Sequence, residues 1–310
     1  MRAGLAHLPL ALLVAPMGLG GAGLAWRQAA TTLGAPGVIG EALLVLTALV
    51  WLAVVAGQAA RGVLHPAALA EDLAHPVRSS FLAAPTIGLM ILSGAAWRHA
   101  PGLGAALWCV AVPLHLLVAM WLLRRIFGGA AVPAMLAPPL LVPLVGNIVA
   151  PVFGVQMGFG DASWMMFGVG FVLWMVVLPL LLGRLFHGPA LPPPLQPSLG
   201  IMLAPPAVAA LAIGELAGST GGAALGLTGV AVLFAAVLVS MAGDFARLPF
   251  SLTWWSFTFP SAAFAVLTMA EGFHPLFCWA ALLACTAITC WVAWRTARLA
   301  LAGAFLRPEA

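Results

Sequence analysis

An all-α polytopic membrane protein is the fold class this sequence predicts, and three observations predict it. Hydrophobic residues fill 64% of the 310 positions and charged ones only 6%, with a mean hydropathy of +1.13. No water-soluble core could hide that much apolar surface behind so few polar groups. The apolar residues fall in runs of bilayer length, about 18 to 25 residues, between polar or Pro/Gly breaks. The twelve basic residues are all arginines, placed singly or in pairs at those breaks. That pattern orients membrane helices and argues against nucleic-acid binding.

Ten spans follow in order, forming one transmembrane domain over residues 1–310. The first covers about 8–28, where Gly18, Gly20, Gly21 and Gly23 read as a small-residue packing face on a retained helix. Arg2 ahead of that apolar run imitates a secretory signal peptide, which is the competing reading. The second covers 38–58, and the loop from Arg61 to Arg78, with His65, Glu71, Asp72 and His75, is the most polar stretch. Spans three and four cover 77–97 and 103–123. The fifth, 133–156, is interrupted by Pro138, Pro139, Pro143 and Pro151, and the sixth covers 163–186. A Pro-rich linker at 189–197 is expected to be non-helical. Spans seven to ten cover 198–216, 222–242, 252–270 and 276–301.

Interior prolines occur in every odd span: Pro16, Pro85, Pro143 with Pro151, Pro205 with Pro206, and Pro260. Spans two, eight and ten have none, whereas four and six carry Pro113 and Pro179. A proline inside a helix removes a backbone donor and crowds the carbonyl four residues back, and in lipid the freed carbonyl must meet protein or cavity water. The chain therefore reads as five helical hairpins, each a kinked helix followed by a straighter one. The kinked five form an inner ring around a pore and the other five an outer ring. Trp51, Trp108, Trp121 and Trp174 on the straighter spans are expected at lipid or at protomer contacts.

With a cytoplasmic amino terminus, one side of the membrane carries Arg2, Arg61, Arg78, Arg124, Arg125, Arg184, Arg247, Arg295, Arg298 and Arg307, against Arg27 and Arg98 on the other. This asymmetry predicts both termini in the cytoplasm, Ala310 included, for a multi-pass protein of the inner (plasma) membrane.

Catalytic chemistry has no foothold: no nucleophile stands with a base, and no metal spacing or nucleotide loop occurs. An enzyme, a metal and a cofactor are therefore not expected. The four cysteines, Cys109, Cys278, Cys285 and Cys290, lie inside apolar runs without a CxxC and read as buried thiols. His115 is the mid-span histidine; it reads as a ring hydrogen-bonded between helices, with a proton relay as the alternative. Glu41, Glu215 and Glu271 sit toward the outer span ends. The pore-lining candidates are hydroxyls and an amide, namely Ser80, Thr86, Asn147, Ser198 and Ser256. Such a weakly polar, nearly uncharged lumen suits small ions of modest dehydration cost, such as monovalent anions, although composition does not give the sign.

Four stretches also carry a resemblance. They are His75-Pro76-Val77-Arg78-Ser79-Ser80-Phe81, Val145-Gly146-Asn147-Ile148-Val149-Ala150-Pro151, Pro197-Ser198-Leu199-Gly200-Ile201 with Ala204-Pro205-Pro206, and Trp254-Trp255-Ser256-Phe257-Thr258-Phe259-Pro260. In this order they resemble the bacterial tellurite-resistance and C4-dicarboxylate transporter family, which includes the plant slow-type (SLAC1-like) anion channels. The resemblance implies a homotrimer in membrane lipid, each protomer holding its own pore for small anions. It also implies an occluding phenylalanine immediately before the span-nine proline, which selects Phe259 as the gate. Phe257, about 200° away around the helix, then points elsewhere. The alternative function is a secondary transporter for C4-dicarboxylates, or an exporter of sulfite or tellurite. The plant members' long regulatory termini have no counterpart in these residues, so their phosphorylation control is not expected.

Overall fold

The computed structural model describes residues 3–218 and 221–307; the expectations placed on Arg2 and Ala310 fall outside them. Among the described residues every regular element is helical and none is a strand. Eight helices are long and apolar enough to cross a membrane: α1 Leu10–Thr32, α2 Gly37–Leu64, α3 Arg78–Trp97, α4 Pro101–Ala130, α6 Gly160–His187, α7 Pro193–Ala217, α8 Gly222–Ser240 and α10 Pro275–Leu301. Between them lie α5, the shorter apolar stretch Pro138–Gly154, and α9, residues 252–270.

Burial divides these helices into two alternating classes. The membrane-length windows of α1, α3 and α7 are 83%, 72% and 61% buried, whereas those of α2, α4, α6, α8 and α10 are 17%, 33%, 33%, 17% and 28% buried. In α5 every residue through Pro151 is buried, and in α9 most are. A helix apolar all round yet buried all round belongs to the centre, and one apolar all round but exposed needs lipid.

What the odd helices share is a change of helix type. Each opens as a 3-10 helix and converts to α at one residue: Val14, Ala83, Val149, Leu203 and Phe257. These five junctions have nearly the same backbone, with φ from −85° to −74° and ψ from −30° to −17°. Pro16, Pro85, Pro151 and Pro205 stand two residues beyond their junction, and Pro260 stands three beyond. There the proline removes one backbone donor just as the helix changes type, and its fixed φ fits both the 3-10 and the α geometry. Pro143 differs, sitting in a single α turn, Leu141–Val145, between two 3-10 stretches.

Two expectations change here. Pro113 and Pro179 lie within continuous α-helices, Pro101–Arg125 and Gly160–His187, so helix type, rather than the presence of proline, separates the two classes. The Pro-rich linker is partly helical, because a 3-10 helix starts at Pro193 and runs to Leu203. The fixed φ of proline suits that geometry.

The even helices support the junctions from behind. Trp51 Nε1 on α2 donates to the Pro85 carbonyl at 2.8 Å, and Trp108 Nε1 on α4 donates to the Ala150 carbonyl at 3.0 Å. Trp108 and Trp174 are buried within the chain, so the structure moves both away from lipid and protomer contacts. From α10, the Thr286 and Thr296 hydroxyls accept from Trp26 and Trp255 at 2.9 and 3.0 Å. α1 and α2 approach closely at Gly23 and Gly40, where a Cβ would stand 2.8 Å from the Leu44 side chain and 2.8 Å from the Arg27 backbone nitrogen respectively. Finally, the polar 61–78 stretch is more than a loop: Pro66–Ala74 forms a nine-residue helix.

Candidate functional site

Three cavities follow one another along the five odd helices; each helix contributes to all three, except that α5 reaches the first only through the residues just ahead of it. The first is a vestibule of about 1090 Å³ at their amino-terminal ends, reached by Leu10 of α1, Phe81 of α3, Pro194 of α7 and Leu252 of α9, with Ala137 just ahead of α5. At their carboxyl-terminal ends a second vestibule of about 470 Å³ is lined by Gly21, Gly94, Phe153, Leu211 and Ala263. Between them lies a chamber of only about 50 Å³, walled by Val14 and Met17, Ile87, Val145 and Ile148, Ile201 and Val208, and Ser256 and Phe259. Four of the five junctions face this chamber through their own residue or a neighbour: Val14, Val149, Ala204 and Ser256. The change of helix type thus occurs at the narrowest level.

The chamber is nearly dry by composition. Ser256 is the one hydroxyl among its lining side chains, and the rest are aliphatic, aromatic, proline or glycine. A constriction of this kind opposes hydrated ions by dewetting rather than by charge. Two rings bound it: Phe259 lines both the chamber and the second vestibule, and Phe81 lines both the chamber and the first vestibule. Sequence reasoning included Phe81 only within a motif. An aromatic four residues before the α3 proline was the available signal, since its counterpart level in α9 is occupied by Ser256, again four before a proline.

Phe257 takes another direction. Its ring meets Phe245 edge-on at a centroid distance of 5.0 Å and lies 5.6 Å from Trp254. A Cβ on Gly200 of α7 would stand 2.9 Å from it. Two consecutive odd positions of α9 therefore separate, one ring toward the cavities and one into an aromatic cluster.

The remaining named residues are distributed as follows. Thr86 bridges the Ala83 carbonyl at 2.7 Å and His115 Nδ1 at 2.7 Å, which ties α4 to the α3 junction behind the lumen. Ser80, Asn147 and Ser198 are buried, and they do not line the three cavities. Pro205 and Pro260 line the chamber, whereas Pro16, Pro85, Pro143 and Pro151 sit in the helices around it. Among the described residues no group of His, Cys, Asp and Glu could hold a metal.

Among the three cavities charge is confined to the vestibules; its balance is positive in the first, and neutral in the second once Glu41, the partner of Arg27, is counted. Arg61, Arg78, Arg184 and Arg307 stand against Glu71 and Asp72 in the first, and Arg27 and Arg98 against Glu215 in the second. Arg27 is held by Glu41 at 2.8 Å and also donates to the Ala95 carbonyl at 3.2 Å. Low-dielectric walls focus such fields, raising the local concentration of anions.

Comparison with known proteins agrees with this geometry. The chain is 28% identical over 208 residues to the guard cell S-type anion channel SLAC1 of Arabidopsis thaliana, covering 65% of this chain and 37% of that one. To the S-type anion channel SLAH2 of the same plant it is 26% identical over 261 residues, 82% of this chain and 50% of the relative. To the tellurite resistance protein TehA homolog of Haemophilus influenzae it is 24% identical over 200 residues, 64% and 61% of the two chains. The chain therefore spans between about a third and two thirds of the length of these relatives. The family profile described as voltage-dependent anion channel, SLAC1, matches residues 7–298. On that match the chain belongs to the SLAC1 family of voltage-dependent anion channels.

Proposed function

We propose that this protein passes small anions through a pore formed by α1, α3, α5, α7 and α9, with Phe259 as the gate. The observation that carries the reading is the stack of three cavities along one set of five helices, two arginine-bearing vestibules, the first of them net positive, separated by an apolar neck. The excess of arginine in the first vestibule supports an anionic substrate, and the absence of fixed charge in the neck avoids trapping the ion there. In the same reading α5 and α9 cross the membrane with the other eight, giving ten spans as an inner and an outer ring of five. The arginine-rich first vestibule then faces the cytoplasm of the inner membrane, with both chain ends on that side. A homotrimer with one pore per protomer is proposed from the family resemblance.

Reconstitution in liposomes tests the function. Replacing chloride in turn by nitrate, sulfite and malate is expected to give passive currents that do not depend on a proton gradient. Saturable uptake that requires such a gradient would instead assign the chain to coupled transport of dicarboxylates, or to export of sulfite or tellurite. Native mass spectrometry in mild detergent tests the trimer, and monomers alone would refute it.

A further inference from the structure

Asp72 is buried at the rim of the first vestibule, on the Pro66–Ala74 helix. Each of its carboxylate oxygens holds an arginine: Oδ2 lies 2.7 Å from Arg61 and Oδ1 lies 2.7 Å from Arg78. The two arginines are in different situations. The Arg61 side chain is 4% exposed, and its other donors are used within the protein, by the Ala6 carbonyl at 3.0 Å and the Ala68 carbonyl at 3.1 Å. The Arg78 side chain is 38% exposed and lines the vestibule. Its contact with Asp72 runs through Nη1 alone to one carboxylate oxygen.

We propose that Arg78 is the vestibule's oxyanion-binding residue and that Asp72 is a tethered competitor which an arriving anion displaces from it. The reasoning rests on the anion-conduction reading above. A guanidinium binds a planar oxyanion with two parallel N–H donors, and a carboxylate occupies the same fork. The carboxylate of Asp72 is therefore a built-in surrogate of the ligand. Displacing it does not strand a buried charge, since Oδ2 remains on Arg61. The cost of exchange is thus low, and the returning carboxylate helps expel the anion. A conducting site needs this combination, attractive enough to load and weak enough to release. The support under Asp72 is rigid: Arg125 of α4 donates to the Leu73 and Ala74 carbonyls at 2.6 and 3.1 Å, fixing the end of the short helix. The geometry of the fork favours nitrate, sulfite and carboxylates over chloride, which cannot accept two parallel donors in the same way.

The test uses the purified full chain, and nitrate and chloride are the probes. Nitrate binding is read in detergent as a concentration-dependent rise in melting temperature, and conduction is read as current against nitrate concentration in liposomes. Arg78→Gln is expected to raise the half-saturating nitrate concentration about tenfold or more in both readouts, as befits loss of a charge-assisted bidentate contact. Arg78→Lys keeps the charge without the fork, so it is expected to lose the preference for nitrate over chloride while retaining the attraction of both. Asp72→Asn is expected to bind nitrate more tightly and to saturate at a lower current. If Asp72→Asn does not assemble because Arg61 loses its counter-ion, the two Arg78 variants decide the question. Wild-type affinity and wild-type nitrate preference in both of them would overturn the proposal. A wild type that binds nitrate but passes no anion refutes the conduction reading and leaves the binding site standing.

Discussion

A Cβ placed on Gly21 of α1 would stand 3.1 Å from Cδ2 of Phe259 on α9. The ring that lines both the neck and the second vestibule thus lies against a glycine, where an added methyl would require the ring to give by a few tenths of an ångström. If Phe259 is the gate, Gly21 is the wall it rests on. Phe259→Ala is expected to increase anion current at unchanged expression. Gly21→Ala is expected to change current when Phe259 is present and to have little effect in the Phe259→Ala background. Strict additivity of the two substitutions would show that the ring and the glycine are not coupled.

Phe257→Ala should behave in the opposite way. The ring packs against Phe245, Trp254 and the Gly200 backbone, so its removal is expected to cost about 3 to 5 kcal/mol, by analogy with buried aromatics in soluble cores. Thermal denaturation in detergent reads that loss, and the current through surviving protein should stay at the parental level. Strong conduction from Phe257→Ala with none from Phe259→Ala would reverse the two assignments.

Phe81 bounds the chamber from the other vestibule. Phe81→Ala is expected to raise current less than Phe259→Ala, because the second ring is still in place. The double variant should exceed both. Equal currents in the single and double variants would confine the barrier to one ring.

The tryptophans of the even helices make a stability prediction. Trp51→Phe and Trp108→Phe each keep the aromatic volume but remove a donor to a carbonyl beside a junction. Each is expected to cost roughly 0.5 to 1.5 kcal/mol, the range for interhelical hydrogen bonds in membranes. A melting temperature unchanged in both would mean that water replaces the indole at those carbonyls.

His115 separates a channel from a proton-coupled carrier. It is buried against Thr86, and a Cβ on Gly146 would stand 2.7 Å from it. Gly146→Ala is therefore expected to destabilise by about 1 to 3 kcal/mol through overpacking. His115→Ala in an otherwise native chain is expected to leave passive anion flux in place. Loss of flux from well-assembled His115→Ala protein would reinstate a proton relay.

Membrane character, helical class and approximate span positions were legible because apolar runs and arginine breaks are one-dimensional signals. The proline positions pointed to the special helices, yet proline alone did not reveal what happens there: Pro113 and Pro179 pass through α-helix while Pro16 and Pro85 mark a conversion from 3-10. That difference is set in three dimensions, among neighbours far apart in sequence such as Trp51 and the Pro85 carbonyl it binds. Facing was legible only in part. Ser256 reaches the neck, whereas Asn147 and Ser198 are buried away from the cavities, because a 3-10 stretch turns each residue by more than an α-helix does. The buried Arg61–Asp72 pair was not legible either, since charged residues in a polar stretch ordinarily remain in water.

The five matching junctions place a change of helical pitch around the neck. A residue that passes from 3-10 to α geometry shortens its helix by about 0.5 Å and turns all that follows by about 20°. Four of the five junctions reach the chamber through their own or a neighbouring residue, Val14, Val149, Ala204 and Ser256, so the passage is tightest where the chain changes its rise and turn, and a one-residue displacement of a junction would be felt first at the neck.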